Sequence, residues 1–427
     1  MLWTRRPTSR KQRRGRPTPT MVQVEELERR DAPATLVNAM TVTYQDLAGE
    51  RVRVTISKPL FQPASINSVF TFNAGSVNGD NSMRQQLLKI DLTGLAAGGA
   101  SLSIAAGDED DDHGHADVGF ISAAGLDLAD VFVGGDLGRI DAGNLTGVEA
   151  LTVESVGHLL APGGDVSHIQ GRLGQLEVEE DVAGASMLVT DAPGGAAGTM
   201  GLVRVEGSVL GGGGDGSGVI SSAGTIDRVV VGHDIRGGAG AGSGVIHSDD
   251  RISLLRVEGS LIGGSGDGSG QIRTGTSGGA PGAPEDTPDT DCGLGPVTIE
   301  DDVRGGSGVE SGAILNDSLA AIDSVWLGGS LRGGSGRQSG RIFSGGDIGP
   351  VWIEHDVAAA TGQPAVGQPA LGVQSAVILS LGSIAGVHVE GSLLGGDGDV
   401  RAGLSGRPGS HEFPPDPHND RRCAPRC

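Results

Sequence analysis

Aromatic residues are almost absent from this chain: one Tyr, three Trp and seven Phe among 427 residues, 3% in all. A conventional globular core leans on such rings for bulk, so one is not expected, whereas stacked Ile, Val and Leu need few of them. Lysine is nearly as scarce, with only Lys58 and Lys89 after residue 37. Three cysteines, Cys292, Cys423 and Cys427, cannot build a disulfide framework. Cys423 and Cys427 flank Ala-Pro-Arg, a spacing that suits a pair with each other or with another chain and is a weak metal signal. No apolar run reaches about 18 residues, so no transmembrane helix is expected. The basic start is not followed by the apolar stretch of a standard secretory signal. No helical pattern of useful length is visible.

Glycine, by contrast, is abundant: 77 of 427 residues, about 18%, against a usual ~7%. The excess is periodic, which argues for order rather than low complexity. The net charge of −22 is unevenly placed. Arg5, Arg6, Arg10, Lys11, Arg13, Arg14 and Arg16 form a basic N-terminal arm, and the rest is acidic. An acidic body does not suit phosphate binding, so no nucleic acid is expected on it.

Residues 1–37 read as a basic, disordered leader. Within it, Leu27, Glu28, Arg30, Pro33 and Ala34 resemble the L-E-x-R-x-x-P-A leader of large exported bacterial surface proteins. The resemblance implies an extracellular or cell-surface location. Residues 38–117 read as a small β domain or N-terminal cap, because Thr41–Tyr44 and Val52–Ile56 alternate with period two around a turn-rich link. Residues 118–403 read as the solenoid, with insertions near 274–292 and 362–372, and residues 404–427 as a disordered tail.

The repeat is apolar-x-x-apolar-x-apolar, then an apolar residue four places on. Ten first positions fit it: Leu128, Val148, Leu173, Met200, Ile226, Ile252, Leu294, Ile322, Ile348 and Ile384. The common step is about 26 residues. A Ser-Gly-x-Ile strand follows in most coils, at Ile220, Ile246, Ile272, Ile314 and Ile342, with Ala for Gly at Ile378. The fold class expected is therefore all-β: a parallel β-helix or β-solenoid of about ten coils, each with three short strands and Gly-rich turns. The repeat style resembles bacterial surface solenoids with Gly-Gly-Ser-Gly turns, a likeness that brings no activity with it.

Three residues after the third apolar position stands a small polar residue: Ser208, Asp234, Ser260, Asp302, Ser330, Asp356, Ser392. Asp and Ser alternate strictly. Such side chains bond backbone N–H groups two residues on and fix corners, and Ser between carboxylates keeps like charges apart.

Other features are weighed against plainer readings. Gly211–Asp215 and Gly263–Asp267 resemble the calcium-binding nonapeptide turn, but the Asp is one place early and the period is 26 or 52, not nine; tight turns explain them. Asp108–Asp117 is the densest ligand cluster, with Asp110, Asp112, His113, His115 and Asp117 as candidate metal ligands and calcium as the cofactor it suits, against a solvated acidic loop. Trp326 and Trp352 share one coil position and should stack outward on adjacent coils, a candidate ligand-binding face unless an insertion or the tail covers it. Glu179, Glu206, Glu258, Glu300, Glu354 and Glu390 form an acidic outer column, with Arg204 and Arg256 beside it.

No Ser/His/Asp or Cys/His set emerges. The expectation is a non-catalytic, exported or cell-surface structural or adhesion solenoid, whose partner is a surface or extracellular polymer or protein. The alternatives are a polysaccharide-binding or polysaccharide-degrading β-helix and a divalent-cation-binding module.

Overall fold

The computed structural model describes residues 34–79, 84–107, 114–159, 166–275, 292–360, 374–395 and, for the backbone alone, 401–408. The ten first positions fall in one column. Parallel pairing runs Leu128↔Val148↔Leu173↔Met200↔Ile226. It continues through the bridges Ile226↔Ile252↔Leu294 and then Leu294↔Ile322↔Ile348↔Ile384. We number the coils 1 to 10 from these residues. Nine steps at about 4.8 Å each span roughly 43 Å.

Coil 5 shows the unit. Its first strand is Ile226–Val231, a two-residue second strand is Ile235–Arg236, and the third is Val245–Ser248. Each lies parallel to its equivalents in the neighbouring coils. The side chains at the repeat positions point inward: Ile226, Val229, Val231, Ile235 and Ile246 are all fully buried, and coils 1 to 9 follow the same pattern at their first-strand positions. One coil has nothing to close over these side chains, so burial requires the coils above and below. The interior serines of the third strands are bonded. Ser222 Oγ donates to Gly198 O at 2.7 Å and Ser248 Oγ to Gly224 O at 2.8 Å, tying each third strand to the corner of the coil before.

The glycine-rich turns follow one plan. Ser217, Ser243, Ser269, Ser311 and Ser339 each donate to the carbonyl three residues back, at 2.6–2.8 Å. Each also accepts the N–H five residues back, at 2.8–3.0 Å. The residue before each of these serines takes a left-handed conformation. It is Gly216, Gly242 and Gly268 in three coils, but Glu310 (φ 57°) and Gln338 (φ 59°) in two.

The N-terminal section is antiparallel. Thr35–Asn38, Thr41–Gln45, Arg51–Ile56 and Ala100–Ala106 pair in that order. Ala100–Ala106 then lies parallel on coil 1, and Leu87–Asp91 lies parallel on Val118–Ala124. The parallel stack thus begins before the repeat motif does, and the cap is continuous with the solenoid. The folded part starts earlier than a leader ending at residue 37 would allow: Ala34 is fully buried and its N–H donates to Gln85 Oε1 at 2.9 Å. At the other end Arg401–Pro408 pairs in parallel with Gln374–Val389, so strand continues past the solenoid end expected at residue 403. Most of both insertions, and residues 409–427, lie outside the described residues. The one described helix is the single turn Ile66–Val69.

Candidate functional site

The Asp/Ser column binds coil to coil, not residue to neighbouring residue. Asp181, Asp234, Asp302 and Asp356 each accept, through Oδ1, the N–H of the Ser in the next coil: Ser208 at 2.6 Å, Ser260 at 2.7 Å, Ser330 at 2.6 Å and Ser392 at 2.8 Å. The expected bond two residues on is replaced because the next coil's N–H lies closer along the stack. In return, Ser208, Ser260 and Ser330 accept the N–H of the following Asp at 3.3–3.4 Å.

The alternation has a steric cause as well as an electrostatic one. Every Ser in the column is preceded by Gly: Gly207, Gly259, Gly329 and Gly391. A Cβ there would sit 2.4–2.5 Å from the Asp Oδ1 of the coil below. The second oxygen of Asp234 and of Asp302 meets Arg236 and Arg304. Burial alone would raise the Asp302 carboxyl; the Ser330 N–H, Arg304 and Arg332 outweigh it and hold it below the usual carboxylate range.

The calcium-like turns are built the same way. Asp215 Oδ1 accepts Ala241 N–H and Asp267 Oδ1 accepts Val309 N–H, both at 2.8 Å. These carboxylates face the next coil rather than converging on a common point.

Of the five candidate metal ligands, Asp110, Asp112 and His113 lie outside the described residues. Asp117 is in effect the first rung of the column, since its Oδ1 accepts Asp136 N–H at 2.9 Å. His115 Nδ1 meets Glu154 at 2.6 Å, and that hydrogen bond and charge raise the imidazole above its ordinary value. Among the described residues no three His, Cys, Asp or Glu side chains form a group that could hold a metal ion.

A polar cluster that the sequence patterns did not single out lies beside this rung. Asp136, 6% exposed, accepts Ser155 Oγ at 2.7 Å and His158 N–H at 3.0 Å, and His158 Nδ1 stands 3.1 Å from Ser155 Oγ. Burial outweighs these bonds and raises the Asp136 carboxyl. The residue types are those of a hydrolytic triad, but the order is wrong. Ser155 donates to the carboxylate instead of to the imidazole, and at 5% exposure it offers no nucleophile to a substrate.

Trp326 and Trp352 do occupy the same register on adjacent strands, and the column continues to His388. The Trp352 and His388 rings stack with centroids 4.1 Å apart and planes 33° apart. The aromatic column therefore extends over three coils, Trp326, Trp352 and His388. The insertion before coil 10 lengthens its step to 36 residues, so His388 does not share the 26-residue spacing of the two Trp although it shares their register. Lower in the same column stand Arg204, Val230, Arg256 and Thr298. There, Arg204 pairs with Glu206 at 2.9 Å and Arg256 with Glu300 at 3.1 Å. Up the stack, therefore, arginine gives way to aromatic rings while the acidic column persists at Glu354 and Glu390. Comparison with family models, curated proteins and solved structures returned no match to this chain.

Proposed function

We propose that this chain is a non-catalytic structural or adhesion solenoid that works outside the cell or at its surface. The carrying observation is the use made of the polar side chains. The aspartates and serines that chemistry would need are bonded to backbone N–H and C=O groups of their own turn or the next coil. The outer faces are left to display charge and, in the upper coils, the Trp326–Trp352–His388 ladder beside Glu354 and Glu390. That ladder is the contact face of this reading, and a surface or extracellular polymer or protein is its partner. The L-E-x-R-x-x-P-A likeness supports export.

Cell fractionation of the full chain and of a form lacking residues 1–37 tests the location; cytoplasmic retention of both forms sinks it. The aromatic ladder also favours a second reading, a polysaccharide-binding or polysaccharide-degrading solenoid. A glycan array combined with a reducing-sugar assay separates the two: binding without turnover keeps the non-catalytic reading, and release of reducing ends replaces it. The divalent-cation module is dropped if neither calcium nor EDTA moves the melting temperature.

A further inference from the structure

The C-terminal end of the solenoid is open. Leu331 and Val357, in the second strands of coils 8 and 9, are fully buried, while their equivalent in coil 10, Leu393, is 59% exposed. Leu394 beside it is 48% exposed. The backbone is open there too. Leu331 and Gly333 donate their N–H groups to the carbonyls of Asp356 and Ala358 in the coil above, and Val357 and Ala359 donate theirs to Ser392 and Leu394. The corresponding donors of coil 10 belong to Leu393 and Gly395, and the partner they need is the next coil.

The chain reaches the start of that next coil. Arg401–Ser405 pairs in parallel with the third strand of coil 9, around Ile378, and the last pairs, Ser383↔Arg407 and Ile384↔Pro408, reach the first strand of coil 10 with an offset of 24 residues. An unchanged offset would set Phe413 opposite Val389 and Asp416 opposite Ser392. Asp416 follows Phe413 by three places, as Ser392 follows Val389, and Asp is the residue the alternation requires above a Ser coil. Pro414, Pro415 and Pro417 have no N–H to offer a further strand. Residues 409–417 themselves lie outside the described part of the chain.

We propose that residues 409–417 are the occupant of this open end, Phe413 covering the apolar side chains around Val389 and Leu393, so that the chain stops its own solenoid. A second copy, or a strand from another protein, is the competing occupant.

Amide hydrogen exchange on the full chain decides between them, with Phe413→Asp and Asp416→Ala as variants. The expected result is protection of the Leu393 amide in the parent, lowered about tenfold or more by Phe413→Asp and less by Asp416→Ala, with the Val229–Val231 amides of coil 5 unchanged. Unchanged coil 5 protection also shows that the variant has folded. Equal exchange at Leu393 in parent and Phe413→Asp overturns the proposal. So does parent protection that rises with protein concentration alongside a dimer in light scattering, which assigns the end to a second copy.

Discussion

At the scale of single residues, most of the polar side chains that stand out in the repeat are explained by one requirement, that every backbone donor inside a stack of coils finds an acceptor. Gly329 illustrates it. An alanine there meets Asp302 Oδ1 at 2.4 Å and the carbonyl of Asp301 at 2.7 Å. Gly329→Ala is expected to destabilise by about 1–3 kcal/mol. Combined with Asp302→Ala, the loss should fall short of the sum of the single changes, as urea unfolding of the four proteins will measure. Gln338 is the opposite case. It holds a left-handed conformation where other coils have glycine, so Gln338→Gly should raise stability by roughly 0.5–1 kcal/mol, and a lower melting temperature would contradict this. Asp302 also sets a pH dependence. Its carboxyl is held down in the folded state, so its contribution is present above the unfolded value near pH 4 and is lost as pH falls through the folded value. Asp302→Asn should therefore lower stability more at pH 7 than at about pH 3, and an equal loss at both would refute the assignment.

At the scale of the coil, the structural unit is a pair. Deleting Ser208–His233, one coil of 26 residues, brings Asp181 against Asp234. Deleting Ser208–Gly259, two coils of 26, brings Asp181 against Ser260 and keeps the alternation. The longer deletion should give the more stable protein by thermal melting; the reverse order would refute pairing of the coils. The coil boundaries were legible in the sequence because the inward Ile, Val and Leu columns have one fixed spacing between repeats. The Asp/Ser alternation was legible too. Its cause was not, since the partner of Asp234 is a backbone N–H 26 residues away, and sequence spacing carries no sign of backbone approach. His388 was hidden for a related reason: an insertion shifts its number but not its register. The Asp136–Ser155–His158 cluster stayed hidden because coil 2 is shorter than coil 1 at this corner: Asp136 holds the column position of coil 1 and Ser155 is its registered partner, but a register shift in this pair breaks the common spacing.

At the scale of the molecule, a solenoid joins each coil to its neighbours and to little else, so cooperativity is local and the ends are weakest. Trp326 and Trp352 report on coils 8 and 9, near the open end, and the remaining tryptophan is Trp3. Tryptophan emission should change at lower urea than far-UV circular dichroism, which averages over all coils. Coincident transitions would mean that the molecule unfolds as one unit. In the short Asp-to-Ser bonds of the column, the carboxylate belongs to the earlier coil and the N–H to the later one. The column thus has a polarity along the stack. A chain delivered amino end first through a narrow opening sets each course on one already laid, with the acceptor waiting before its donor arrives, so that assembly can keep pace with emergence and resist slipping back.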